Sequence, residues 1–180
     1  MSRIAIPTQA ETPTASRPLL DAVNKQLGVV PNLMKVVGNS PAALEGYLSL
    51  NGALGKGSIG AKTGERIALA VAELNGCSYC LSAHSYLGSN LAKLDADEIE
   101  ANRRGSSSDP KAAAALRLAT QIVNTRGHVT DADIAAAKSA GYCDAEIIEI
   151  VLHVALNTLT NYVNSVAKTD VDFPVVHPYS

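Results

Sequence analysis

From Ser16 to Lys168 the apolar residues recur at spacings of three and four, and no run alternates with the period of two that a half-buried strand needs. This one-sided periodicity, broken by caps, glycines and prolines, restricts the chain to helix packed on helix. Ser16 serves as an N-cap for a helix through Leu19, Leu20, Val23 and Leu27 that stops at Gly28. Pro31 opens a short segment ending near Gly38, and Ser40-Pro41 is a cap with a proline at the first helical position. Residues 55–60 form a glycine-rich break without the GxxxxGK[ST] pattern, so they read as a loop rather than a phosphate cradle. A helix follows over Ala61–Asn75, and Gly76 separates it from another that reaches about Ser89. Asp95 with Glu98 resembles a capping box, residues 105–108 (Gly-Ser-Ser-Ser) read as a flexible linker, and Asp109-Pro110 starts the next helix. Thr130 caps one more, and the longest and most apolar runs from Asp144 to about Lys168. The predicted class is all-α: an extended arm over 1–15, a single helical domain over 16–168 and a C-terminal tail over 169–180.

Composition narrows the partners. A chain of 180 residues that is 47% apolar buries a sizeable core, and with no Trp and one Phe that core is built from Ala, Leu, Val and Ile. A net charge of −2 leaves no electrostatic footprint for nucleic acid or an acidic membrane surface. Three cysteines are too few for a disulfide-stapled secreted domain, Met1–Pro18 lacks the apolar core of a signal peptide, and no apolar run is long enough to span a bilayer. The expected location is cytoplasmic, where a CxxC pair is more often catalytic or metal-binding than structural.

The chemistry concentrates in Cys77-Ser78-Tyr79-Cys80-Leu81-Ser82-Ala83-His84. If Cys77 opens a helix, the side chains of Cys77, Cys80 and His84 fall within about 60° of one another on one face. Thiolates near a helix N-terminus are stabilised by its unpaired N–H groups. His84 lies roughly 6 Å along the axis from Cys80 and roughly 10 Å from Cys77, which favours Cys80 as the activated thiol. Two other readings stand beside the redox dithiol: half of a zinc site with His84 as a third ligand, or buried packing. No second CxxC or HxxxH is present to complete a tetrahedral shell, and Cys143 lies far along the chain.

With Glu65 twelve residues before Cys77 and His84 four after Cys80, the sequence resembles the alkylhydroperoxidase D-like branch of the carboxymuconolactone decarboxylase family. Asn161-Tyr162-Val163-Asn164 is similar to a segment of that branch's peroxidase-related members. The resemblance implies the family's multi-helix fold and a homo-oligomer, trimeric or hexameric. It also implies a thiol peroxidase that needs no cofactor beyond a redox-active Cys77–Cys80 disulfide. Cys80 would then be the peroxidatic thiol and Cys77 the resolving one, with His84 and Glu65 as proton relay. The substrate would be a hydroperoxide and the reductant a thiol, of dihydrolipoyl or another type. The best-known members carry His just before the second cysteine, where this chain has Tyr79. The decarboxylase branch lacks the CxxC.

Around this centre, Glu73 is a rival to Glu65 as the carboxylate that orients His84, and Tyr79 either donates a hydrogen bond or packs against a neighbouring subunit. In the last helix His153, Asn157, Asn161 and Asn164 fall on one face, and no Asp, Glu, Lys or Arg lies between Glu149 and Lys168. That uncharged polar stripe is either a plain amphipathic face or part of a buried hydrogen-bonded network or interface, with His153 a candidate neighbour of the site. The function expected is a thiol-dependent peroxidase. The alternative is a helical metal-binding or redox-sensing module without turnover.

Overall fold

A computed structural model describes residues 2–179. Among the described residues the regular structure is helical throughout: α1 (Arg17–Leu27), α2 (Asn32–Val37), α3 (Pro41–Leu54), α4 (Gly60–Leu74), α5 (Ser78–Asn90), α6 (Ala96–Arg103), α7 (Pro110–Thr125), α8 (Asp131–Ser139) and α9 (Asp144–Ala167). A 3-10 turn at Thr14–Ser16 precedes α1. This is the all-α architecture that the periodicity predicts, and no helix is long and apolar enough to cross a membrane among the described residues.

The other helices are arranged around α4. Its Ala, Leu, Glu and Arg residues are strong helix formers, and Gly64 together with every residue from Arg66 to Ala72 is buried. It packs against α5, α6, α7 and α9 at once, so it carries small residues on faces where an ordinary amphipathic helix would carry charge. Gly64 is the point of closest approach, where an added Cβ would lie 2.9 Å from Cε1 of His153 on α9. The start of α4 has no side-chain cap of its own. Glu149 of α9 supplies one, its Oε2 accepting the Ser58 and Ile59 N–H groups at 2.7 and 3.0 Å. A Cβ at Gly57 would meet that same oxygen at 2.7 Å. The glycine-rich loop therefore folds its backbone donors onto a carboxylate of the chain itself.

Two apolar clusters flank α4. One joins it to α7, α8 and α9 through Ile67, Leu116, Ile150 and Val154. The other gathers α1, α2, α3 and α5 through Leu20, Leu33, Leu44 and Leu81, and it contains Cys77 and Cys80.

Three local expectations are revised. Ser16 stands at the N-cap position of α1, but its hydroxyl donates to the Gly38 carbonyl at 2.7 Å instead of accepting a helix N–H. Asp95 does cap α6, accepting Glu98 N–H at 2.8 Å. Glu98, however, turns inward rather than back to the cap. It accepts from Asn102 Nδ2 at 3.0 Å, from Ser108 N–H and Oγ at 3.1 and 2.8 Å and from the Ser107 hydroxyl, and it faces Arg66 Nε at 3.2 Å. The Gly-Ser-Ser-Ser stretch is consequently pinned, not a flexible linker: its serines exist in this geometry to satisfy a buried carboxylate.

The tail also docks. Asp172 accepts the Asn32 N–H at 2.7 Å and the Tyr79 hydroxyl at 2.8 Å, and Val176 N–H donates to Ser82 Oγ at 2.9 Å. Farther on, Arg103 donates to the His177 carbonyl at 2.8 Å and Tyr179 N–H to Glu73 Oε1 at 2.7 Å. Tyr79 ties three segments together, because its oxygen also accepts the Leu33 N–H of α2 at 3.0 Å. Phe173 sets its ring edge-on to Tyr79, with centroids 5.9 Å apart. At the other end, the arm is held by Asn39 donating to the Ala5 carbonyl at 3.0 Å.

Two outcomes test this architecture. Burial alone would raise the Glu98 carboxyl, but the hydrogen bonds from Ser107, Asn102 and Ser108 outweigh it and hold the group down at about 2. A carboxylate depressed in the folded state contributes stability above its unfolded pKa and loses it as pH falls through the folded one. Acid titration of unfolding free energy should therefore show a loss between about pH 4.5 and pH 2 that Glu98→Gln removes. In denaturant melts Tyr79→Phe should cost about 1–3 kcal/mol, because the buried Leu33 N–H loses its acceptor.

Candidate active site

The site begins where α4 ends. Gly76 adopts φ +64°, and Cys77 N–H reaches back to the Ala72 carbonyl at 2.9 Å, the helix-terminating bond that a left-handed residue permits. This turn delivers Cys77 to the N-cap of α5 in an extended conformation, φ −90° and ψ 93°. Cys77 thus stands just outside the helix rather than opening it. Its Sγ folds over the first turn and accepts the Cys80 N–H at 3.3 Å. Cys77 and Cys80 are joined as a disulfide, with Cα atoms 5.3 Å apart. Both are buried, at 3% and 2% exposure, in the cluster formed with Leu20, Val23, Leu33 and Met34.

A second donor reaches the pair from α9. Asn164 Nδ2 points at Cys80 Sγ from 3.3 Å. One turn earlier Asn161 Oδ1 accepts Asn75 Nδ2 at 2.9 Å, which steadies the turn that feeds Cys77. Asn157, Asn161 and Asn164 are all buried. The uncharged stripe of α9 is therefore the hydrogen-bonded face turned toward α4 and α5. Asn157 itself donates to the His153 carbonyl of its own helix at 2.8 Å.

His84 and Glu65 meet across α4 and α5, with Nδ1 to Oε2 at 2.9 Å. The two side chains are 21% and 24% exposed, so the pair borders solvent while the sulfurs do not. A carboxylate only accepts, so with Glu65 ionised the imidazole carries its proton on Nδ1 and leaves Nε2 as the base. The Glu65 charge also acts on Tyr47 of α3, whose hydroxyl is pushed up to about 12 by burial first and by this carboxylate second.

The remaining candidates lie elsewhere. Glu73 pairs with Arg103 Nε at 2.8 Å and takes the Tyr179 N–H, so its carboxylate is engaged with α6 and the tail. Tyr79 is buried and held between Leu33 and Asp172; burial, then the Asp172 carboxylate, drive its hydroxyl far above the usual phenol range, with the Leu33 N–H opposing. It remains neutral as a tether. His153 lies half-buried against Gly64, and desolvation lowers its pKa despite the Glu149 and Glu65 carboxylates, so it is neutral at pH 7. Cys143 is exposed at the N-cap of α9. No group of three His, Cys, Asp or Glu side chains is placed to hold a metal ion among the described residues. The assembled features are a dithiol in apolar surroundings, an imidazole–carboxylate pair one turn away and an amide on Cys80. Asp172 has no motif of its own; Asn164 is signalled in the sequence by the Asn161-Tyr162-Val163-Asn164 segment and by the absence of charge between Glu149 and Lys168.

Residues 41–121, which include Glu65, Cys77, Cys80 and His84, match the family model described as the Carboxymuconolactone decarboxylase family. The fold is similar to that of a peroxidase-related protein from Silicibacter sp. TM1040, at 23% identity and TM-score 0.83, covering 94% of this chain and 91% of that one. A peroxidase-related protein with an alkylhydroperoxidase AhpD core from Ralstonia eutropha JMP134 is 24% identical with TM-score 0.83, covering 95% and 92%. The debrominase Bmp8, solved also in complex with 2,3,4-tribromopyrrole, is 19% identical with TM-score 0.77, covering 94% and 91%. No curated protein matches the sequence. The matched segment carries Glu65, Cys77, Cys80 and His84, and the helices around it are arranged as in the alkylhydroperoxidase D-like neighbours.

Proposed function

We propose that this chain is a dithiol peroxidase that reduces organic hydroperoxides. The observation that carries the reading is the Cys77–Cys80 pair, buried in an apolar cluster, with the 2.9 Å His84–Glu65 contact one helical turn beyond Cys80. In the dithiol form His84 Nε2 takes the Cys80 proton, and the thiolate attacks the distal peroxide oxygen. The O–O bond breaks, the alkoxide leaves with the proton from His84 as an alcohol, and Cys80 becomes a sulfenic acid. Glu65 keeps the imidazole in the useful tautomer and stabilises its cationic form. Cys77 then attacks the Cys80 sulfur, the S–O bond breaks, and water leaves as the disulfide closes. An external thiol reductant, of dihydrolipoyl or another type, returns the two electrons. No cofactor enters the cycle, and a cytoplasmic setting keeps the dithiol reduced between turnovers. Apolar walls around the sulfurs favour an alkyl or aryl hydroperoxide over hydrogen peroxide.

The assembly completes the proposal. Tyr162, Ile148 and Val166 are 61%, 59% and 59% exposed on the outer face of α9, with Leu159 and Leu152 between them. Such an apolar stripe suits burial against further copies of the chain in a homo-oligomer, trimeric or hexameric.

One equivalent of an organic hydroperoxide, added to reduced protein freed of reductant, should remove two of the three thiols quickly. Cys80→Ser should abolish that loss, and His84→Gln should slow it about 100-fold. Retention of both thiols in the wild type would overturn the peroxidase reading; co-purified zinc and resistance to alkylation would then favour the metal-binding alternative. Because a debrominase shares the fold, a brominated pyrrole is the control substrate. Sedimentation should show an oligomer that Tyr162→Glu dissociates, and a monomeric wild type would remove the assembly from the proposal.

A further inference from the structure

We infer that the side-chain amide of Asn164 is what makes Cys80, rather than Cys77, the ionised thiol of the pair. The inference rests on the proposed role of Cys80 as the attacking sulfur. Both sulfurs are almost fully buried, and burial by itself keeps a thiol protonated. Each therefore needs a donor, and the structure supplies one to each. Cys77 at the N-cap receives the Cys80 N–H at 3.3 Å, a bond that belongs to the helix terminus and is present whatever the surrounding side chains are. Helix position alone would favour Cys77 as the thiolate. Cys80 receives Asn164 Nδ2, also at 3.3 Å, from a different helix.

Asn164 has the marks of a residue kept for this contact. It is 3% exposed, and its buried Oδ1 has no partner. An unsatisfied buried carbonyl is costly, and a leucine of similar size would pack there without that cost. Facing a disulfide or thiolate sulfur, which only accepts, the amide presents Nδ2; turned over, its oxygen would meet the sulfur lone pairs. The titratable groups surrounding the dithiol are His84 of α5 with Glu65 of α4, Tyr47 of α3, and Tyr79 with Asp172 of the tail. From α9, which has no Asp, Glu, Lys or Arg between Glu149 and Lys168, the contribution is a neutral donor. An amide donor shifts the thiol equilibrium without offering a proton of its own, so it lowers the Cys80 pKa and leaves proton transfer to His84.

The test reads the two thiols separately. Reduced Cys77→Ser and Cys80→Ser proteins, each with Asn164 intact, changed to Ala or changed to Leu, are alkylated across pH and followed by peptide-resolved mass spectrometry. Removing the amide should raise the Cys80 pKa by about one unit or more, an approximately ten-fold slower alkylation at pH 7, and leave Cys77 within about two-fold. The leucine variant preserves packing and should give the same shift as alanine. An unchanged Cys80 profile, or an equal shift at both cysteines, would overturn the assignment. Alkylation needs no peroxide, so the outcomes separate. A shifted Cys80 in a protein that leaves hydroperoxides untouched would retain Asn164 and remove the peroxidase reading, and an active protein with an unshifted Cys80 would do the opposite.

Discussion

The burial of α4 on all sides is the constraint from which the rest of the structure follows. A helix enclosed by α5, α6, α7 and α9 needs small residues where its neighbours cross, and it finds them at Gly64, Ala68, Ala70 and Ala72. Enclosure also makes every polar group on or beside it expensive unless paired. The chain answers with long-range partners: Glu149 caps the start of α4, Glu98 faces Arg66, and Asn161 holds Asn75 at its end. These contacts join segments far apart in sequence, and they set the frame within which α5 is placed.

The dithiol sits at the seam between that frame and the second apolar cluster. Cys77 and Cys80 share surroundings with Leu33, Met34 and Leu44, residues that would normally suppress ionisation. Reactivity in such a place depends on the few donors that reach in, here one backbone N–H and one asparagine amide. The imidazole–carboxylate pair lies farther out, where His84 and Glu65 are partly exposed to solvent. In the proposed peroxidase, this separation of dry sulfurs from a wetter imidazole would let an apolar substrate approach the sulfur while protons exchange at the rim.

Tyr79 shows how an unusual residue within a motif can carry a structural duty. This side chain spans α2, α5 and the tail through a single oxygen. The tail it helps to hold is further tied by Val176 to Ser82 and by Tyr179 to Glu73. Glu73 is drawn into this docking by Arg103 of α6, which is why its nearness in sequence to Cys77 does not bring it to His84.

Much of this was legible in the residues themselves. Periodicity and caps determined an all-helical chain and most helix boundaries, because those signals are local and repeat every turn. The spacing of Glu65, Cys77, Cys80 and His84 marked the candidate site for the same reason, each being fixed to a helix end or a helix face. Where a side chain had a choice of partners, local signals failed. Glu98 abandoned the capping box for Arg66 and the serines, and Ser16 turned its hydroxyl to Gly38, since burial rewards whichever distant group leaves fewest polar atoms unpaired. The blank stretch of α9 signalled that something uncharged faced inward, and only the packing of α9 on α5 decided that it was Asn164 on Cys80. The sequence by itself determined which elements form and where the CxxC and its neighbouring His and Glu fall on them. The tertiary structure alone decided which donors reach the sulfurs, because those contacts depend on how helices cross and not on how each one is wound.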